Sequence, residues 1–77
     1  MTRTAKYRIP DQLTSTTLTE VKNVQQLALT NQIKDFIQYS QATGREFIIY
    51  TRANTTFTKP LQDAIDQGLI IIKEIPK

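Results

Sequence analysis

Apolar and polar positions follow several different periods along the chain, and each period predicts a different element. Thr17 to Val24 alternates with period two and is rich in β-branched residues, which predicts a strand. Tyr7 to Asp11 predicts a shorter strand with Pro10 near its end, where a missing backbone N–H does least harm. The polar stretch between them, Gln12 to Thr16, predicts a turn or loop.

The clearest helical pattern runs from Asn31 to Thr43. Thr30 is placed to cap its beginning, and Gly44 is placed where a left-handed residue ends a helix. The residues that fall at helical spacing and predict one buried stripe are Ile33, Phe36, Ile37 and Ser40.

The second half of the chain predicts a strand, a helix and a strand. Glu46 to Thr51 is nearly continuously apolar, as in strands covered on both faces. A shorter helix begins at Thr58-Lys59-Pro60 and ends at Gly68, and Leu69 to Ile75 is the last strand. The buried side of that helix is predicted to contain Leu61, Ala64 and Ile65. The order β-β-α-β-α-β predicts an α/β fold, a small mixed sheet flanked by helices.

Length and composition narrow the classes of function. The chain has 77 residues, which predicts a single domain over 1–77 with Met1 to Ala5 loosely ordered. It has no Cys and no His, which excludes disulfides, thiolate zinc sites and histidine-based triads within it. Any metal must bind oxygen ligands, so magnesium, manganese or calcium is expected. The net charge of +3 is compatible with a polyanionic partner.

No membrane segment is expected. No window approaches the run of about 18 apolar residues that a membrane-spanning helix needs. The segment from Met1 to Pro10 carries basic residues but lacks the apolar stretch of a signal peptide.

One constellation suggests chemistry: Pro10-Asp11 followed, after eight residues, by Glu20-Val21-Lys22. Residues two apart on a strand share a face, so Glu20 and Lys22 project together while Val21 faces the other side. A hairpin-like return between Tyr7–Asp11 and Thr17–Val24 is expected to bring Asp11 next to Glu20. The alternative is that Glu-x-Lys marks an ordinary solvated strand face.

Two carboxylates and a lysine on one patch suit phosphodiester hydrolysis. Asp11 and Glu20, with the backbone carbonyl of Val21, are expected to ligate Mg²⁺ or Mn²⁺. Such an ion polarises a phosphate and activates bound water. Lys22 is expected to orient that water and to stabilise charge on the phosphate.

The sequence around these residues resembles a known superfamily. Ile9-Pro10-Asp11, followed by Leu18 to Val24, resembles the motif core of the PD-(D/E)xK phosphodiesterases, the restriction-endonuclease-like superfamily. More narrowly, Glu20 to Val24 and then Leu29 to Phe36 resemble the restriction-endonuclease-fold toxin domains at the C-termini of bacterial polymorphic toxins of the contact-dependent inhibition type. Further similar stretches are Phe47 to Arg52, Lys59 to Gln62 and Ile65 to Gly68. The relatives usually begin with a helix that this chain is expected to lack.

The resemblance implies roles for individual residues. It makes Asp11 and Glu20 metal ligands and Lys22 the catalytic lysine. Gln32 matches a polar position beside the active site of relatives, although an ordinary surface glutamine is an equal alternative. Residues Asn23 and Arg52 are candidates for substrate contact, and Arg52 could equally be a surface charge.

The resemblance also implies a biological role. It implies a metal-dependent endonuclease for which DNA is favoured over RNA, although the same fold serves both substrates. It also implies delivery as part of a larger antibacterial toxin into the cytoplasm of a target cell, and inhibition by a cognate immunity protein. An exposed sheet edge could pair with a second copy of the chain. Two other hypotheses remain: a non-catalytic module that binds nucleic acid or protein, and a small antidote or regulatory protein.

Overall fold

A computed structural model describes residues 11–76 of the chain. Their helices and strands, in chain order, are β1 (Gln12–Leu13), β2 (Thr17–Lys22), β3 (Gln26–Leu27), α1 (Asn31–Thr43), β4 (Glu46–Thr51), β5 (Thr56–Phe57), α2 (Lys59–Asp66) and β6 (Ile71–Glu74). The predictions for Met1 to Pro10 lie outside the described residues. They include the N-terminal part of the first strand and the expected lack of the helix with which relatives begin. Neither helix in the described part is long and apolar enough to cross a membrane.

The main sheet is mixed, as predicted, and has the strand order β1-β2-β4-β6. Strands β2, β4 and β6 run parallel, whereas β1 pairs antiparallel with β2. Successive parallel strands are joined through α1 and α2, and because such crossovers are right-handed, both helices lie on one face of the sheet. The core fills the space between that face and the helices. Its buried members are Leu18, Leu27, Ile33, Phe36, Ile37, Phe47, Ile49, Leu61, Ala64 and Ile70.

Helix α1 forms where its caps and its apolar stripe predict it. The Thr30 hydroxyl accepts a hydrogen bond from the backbone N–H of Ile33 at 3.3 Å, which satisfies one free donor of the first turn. Gly44 ends the helix with φ of 72°, and its N–H donates to the Ser40 carbonyl. The predicted stripe is buried, and Phe36 packs edge-to-face on Phe47 of β4 with ring centroids 5.9 Å apart.

Helix α2 also matches its prediction in position and in its buried side. Pro60 lies in the first turn, where its missing N–H would have had no intrahelical partner. Leu61 and Ala64 are buried against the sheet and Ile65 is half-buried. Gly68 follows the helix with a left-handed φ of 81°.

Three predictions about strand positions need correction. Gln12 and Leu13 form a strand rather than a loop, because they supply pairing partners to the outer edge of β2. The turn between them and β2 is tight, and Thr14 closes it by accepting the N–H of Thr17 at 3.0 Å. Strand β2 ends at Lys22 rather than Val24, and β6 covers only Ile71–Glu74.

The structure adds a small second sheet that the sequence analysis did not predict. Strands β3 and β5 pair in parallel, each only two residues long. They lie in the two connections that leave β2 and β4 for the helices. Strands of two residues are too short to show a period, so no hydrophobic pattern could reveal them.

Candidate active site

The three parallel strands of the main sheet end side by side, and we call this end the carboxyl edge. Lys22, Thr51 and Glu74 are partners across β2, β4 and β6, so they form one row at that edge. The neighbouring row inward is Glu20, Ile49 and Ile72. Side chains two apart on a strand share a face, so both rows project toward the helices.

Glu20 is buried, with only 4% of its surface exposed. It follows Leu18 on the inner face of β2, and the hydrophobic core surrounds that face. Val21, on the other face, is 47% exposed. The alternative that Glu20 and Lys22 mark a solvated strand face is therefore wrong for Glu20. Burial of a carboxylate costs free energy unless its charge is compensated. The groups around Glu20 therefore determine how large that cost is.

Asp11 lies next to Glu20, as the predicted return of the chain requires. The backbone N–H of Asp11 donates to Glu20 Oε2 at 3.2 Å. In the other direction, the backbone N–H of Val21 donates to Asp11 Oδ2 at 2.7 Å. The two acidic residues are thus held together by β1, which places Asp11 opposite the end of β2.

Lys22 completes the group together with Gln32. Lys22 Nζ is 3.8 Å from Glu20 Oε1 and donates a hydrogen bond to Gln32 Oε1 at 3.2 Å. Gln32 is in the first turn of α1, which begins above the carboxyl edge. The structure thus brings Asp11, Glu20, Lys22 and Gln32 into one chain of contacts, and Gln32 is half-buried.

The electrostatics of the group centre on Glu20. Burial raises the pKa of the Glu20 carboxyl above its ordinary value, and the nearby negative charge of Asp11 raises it further. The charge of Lys22 and the hydrogen bond from the Asp11 N–H act in the opposite direction and lower it. The net effect is a raised pKa, which means that the ionised form of Glu20 lacks full compensation from these residues.

The donor set fits a hard divalent cation. Two neighbouring carboxylates repel each other, and a cation between them would relieve that repulsion. N–H and C=O of one strand residue point to the same side, so the Val21 carbonyl faces the edge where Asp11 accepts the Val21 N–H. Within residues 11–76, no group of three or more Asp, Glu, His or Cys side chains could hold a metal ion. Magnesium often needs only one or two carboxylates and takes its other ligands from water and phosphate.

Asn23 and Arg52 are not members of this contact chain but form their own pair beside it. Arg52 Nε donates to Asn23 Oδ1, and Arg52 Nη2 approaches the Asn23 carbonyl at 3.5 Å. Both residues directly follow the last residues of their strands, Lys22 and Thr51. The pair therefore lies at the carboxyl edge, close to the end of β2.

The two connections that carry this pair are bound to each other. The Thr55 hydroxyl donates to the Val24 carbonyl at 2.8 Å, and the Thr56 N–H donates to the Gln25 carbonyl at 3.0 Å. The Thr58 N–H donates to the Leu27 carbonyl at 3.1 Å. These contacts, together with the β3–β5 pairing, fix Asn23 relative to Arg52.

Sequence reasoning missed two polar residues at the same edge, Asn54 and Glu74. Both line a cleft that Asn23 and Arg52 also line. Glu74 could have been found from its position, because it lies one residue before the end of the last predicted strand, Leu69 to Ile75, and the carboxyl ends of parallel strands meet at one edge. Asn54 lies in a connection and gives no comparable signal.

Comparison with known proteins identifies the family. The family model for restriction endonuclease fold toxin 7 (Tox-REase-7) matches residues 1–61. No curated protein and no solved structure matches the chain significantly. The matched residues include Asp11, Glu20, Lys22 and Gln32, and the mixed sheet with two helices agrees with the restriction-endonuclease-like fold. The chain therefore belongs to this family of toxin domains with the restriction endonuclease fold.

Proposed function

We propose that the chain is a metal-dependent endonuclease with an active site formed by Asp11, Glu20, Lys22 and Gln32. The observation that carries the proposal is the burial of Glu20 between a second carboxylate and a lysine. A carboxylate in that position has a raised pKa and reduces the free energy of unfolding at neutral pH, so it is hard to explain by stability alone. Perturbed acids cluster at functional sites.

The residues divide the chemistry between them. Asp11 and Glu20, with the Val21 carbonyl, would hold Mg²⁺ or Mn²⁺. When bound, such an ion polarises a phosphate and lowers the pKa of a bound water. Lys22 Nζ lies beside Glu20 and stabilises negative charge that develops on the phosphate oxygens. Gln32 accepts a hydrogen bond from Lys22 and so directs its ammonium group toward the carboxylates.

The family supports a proposal about the biological role. A toxin domain with the restriction endonuclease fold supports a role as the delivered nuclease of an antibacterial toxin, neutralised by a cognate immunity protein. DNA is the favoured substrate, and RNA is the alternative because the same fold serves both.

Cleavage of supercoiled plasmid and of total RNA tests the proposal, with Mg²⁺ or Mn²⁺ against EDTA. We expect metal-dependent cutting of DNA that is abolished in Glu20→Gln and in Asp11→Asn. Lys22→Met should reduce the rate by about 10² to 10³-fold. The matched control is Glu46→Gln, because Glu46 is an exposed glutamate at the opposite end of the sheet.

Thermal unfolding of each variant shows whether it is folded. Cutting that survives both carboxylate substitutions would refute the mechanism. A folded wild-type protein that binds nucleic acid equally with and without metal and never cuts it would favour the non-catalytic binding module instead.

A further inference from the structure

A cleft of about 380 Å³ opens at the carboxyl edge beside the proposed active site. Its polar lining consists of Asn23, Arg52, Asn54 and Glu74. The volume lies within the range of small-ligand sites, which begins at about 300 Å³. Ligands of open α/β sheets bind outside the carboxyl ends of the parallel strands, and this cleft occupies that position.

The cleft adjoins the catalytic group through the strand register. Glu74 and Lys22 belong to the same row, separated only by Thr51 of the central strand. Neighbouring strands are about 4.8 Å apart, so the Cα atoms of Lys22 and Glu74 are roughly 10 Å apart. A nucleic acid strand with one phosphate at Lys22 therefore places a neighbouring nucleotide at the cleft.

Arg52 is positioned to bind a phosphate. Asn23 accepts from its Nε and lies beside its Nη2, which fixes the plane of the guanidinium group. Among residues 11–76 no carboxylate forms an ion pair with Arg52. A fixed guanidinium with N–H groups to spare suits the fork geometry of a phosphate.

Glu74 gives the other side of the cleft a different chemical character from the side formed by Arg52. Glu74 is exposed, and its carboxylate only accepts hydrogen bonds. The carboxylate therefore repels a phosphate and the carbonyl oxygens of a base. It attracts an exocyclic amino group, such as N4 of cytosine, N6 of adenine or N2 of guanine, which thymine lacks. The charges thus divide the cleft into a phosphate side at Arg52 and a base side at Glu74.

We propose that this cleft binds the nucleotide next to the scissile phosphate, with Arg52 holding its phosphate and Glu74 selecting a base that carries an exocyclic amino group over thymine. The inference rests on the proposed nuclease function and adds a specificity site to it. Glu74 lies beyond residues 1–61, so the family match assigns it no role.

Sequencing of the ends produced from a random-sequence DNA library tests the base side. The wild-type protein should favour cytosine, adenine or guanine over thymine at one position flanking the cut, by about tenfold. Glu74→Gln should lose this preference, since an amide both donates and accepts. The control Glu46→Gln should keep it. An unchanged base profile in Glu74→Gln would overturn the proposal for this residue.

Binding of a fluorescent oligonucleotide in EDTA tests the phosphate side. Arg52→Gln should weaken binding and reduce the salt dependence of log Kd by about one phosphate contact. The control is Arg45→Gln, which removes the same charge just before β4 instead of just after it. Equal losses in both variants would refute the cleft as a phosphate site.

The two proposals fail separately. A wild-type protein that never cuts refutes the nuclease, while the binding comparison of Arg52→Gln with Arg45→Gln still decides the cleft. A wild-type protein that cuts without any flanking preference leaves the nuclease intact and refutes base selection by Glu74.

Discussion

Two adjacent threonines provide a matched test of how the carboxyl edge is held together. Thr55 is 8% exposed, and its hydroxyl donates to the Val24 carbonyl at 2.8 Å. Thr56 is exposed, and its hydroxyl approaches the Gln25 carbonyl at 3.4 Å. Both contacts connect the same two segments, so the substitutions Thr55→Val and Thr56→Val differ mainly in burial and in hydrogen-bond length.

The expected magnitudes follow from that difference. Thr55→Val removes a hydrogen bond worth about 1 kcal/mol and leaves a shielded carbonyl without this donor, which adds roughly another 1 kcal/mol. The total of about 2 kcal/mol corresponds to a fall in Tm of roughly 8–16 °C for a domain of this size. Thr56→Val should cost at most about 0.5 kcal/mol, because water replaces a long, exposed bond.

Thermal and urea unfolding followed by circular dichroism measure both values. Thr55→Ser keeps the hydroxyl and removes only a methyl group, so it should recover most of the loss. Nucleic-acid binding by Thr55→Val, measured well below its Tm, should also weaken, because Asn23 and Arg52 lie in the segments that the bond joins. Equal stability of Thr55→Val and Thr56→Val would refute the reasoning.

Three further predictions concern the site and its supporting helix. Glu20→Gln in EDTA should raise Tm more at pH 7 than at pH 4. The raised pKa means that Glu20 binds its proton more tightly in the folded state than in the unfolded state. Glu20 therefore lowers the free energy of unfolding as pH rises from about 4.5 through its folded pKa. A constant or inverted difference between these pH values would contradict this. Gln32→Leu should slow cleavage about tenfold with little change in KM, because the substitution releases Lys22 from a hydrogen bond worth roughly 1–1.5 kcal/mol. An unchanged kcat would show that Gln32 does not position Lys22. Gly44→Ala should lower the free energy of unfolding by about 1 kcal/mol because of its φ of 72°, and Gly44→Asn by less, as urea unfolding would show.

The helices and the central strand were predictable because their signals are local. Thr30 and Gly44 bound α1 by their own chemistry, and the run from Glu46 to Thr51 is long enough to read as a strand without knowledge of its neighbours. The shared face of Glu20 and Lys22 follows from the period of a strand alone.

What the sequence could not supply depends on partners distant along the chain. The stretch of Gln12 and Leu13 is short and flanked by polar residues. It forms a strand only because β2 offers an unpaired edge. The burial of Glu20 requires α1 to begin above it, which no strand pattern reveals. Asn23 meets Arg52 only after the crossover through α1 has brought the ends of β2 and β4 together. Tertiary placement, rather than local preference, decides these features.

The register of the sheet places the proposed catalytic residues and the proposed base-selecting residue in different parts of the chain. Every group of the proposed catalytic chain of contacts comes from the contiguous stretch 11–32, whereas the base side of the cleft depends on Glu74 in the last strand. If both proposals hold, substitutions in β6 should alter which sequences are cut and leave the reaction itself unchanged. A lineage of such toxins could then diversify its targets by changing a few residues of β6, without passing through an inactive intermediate.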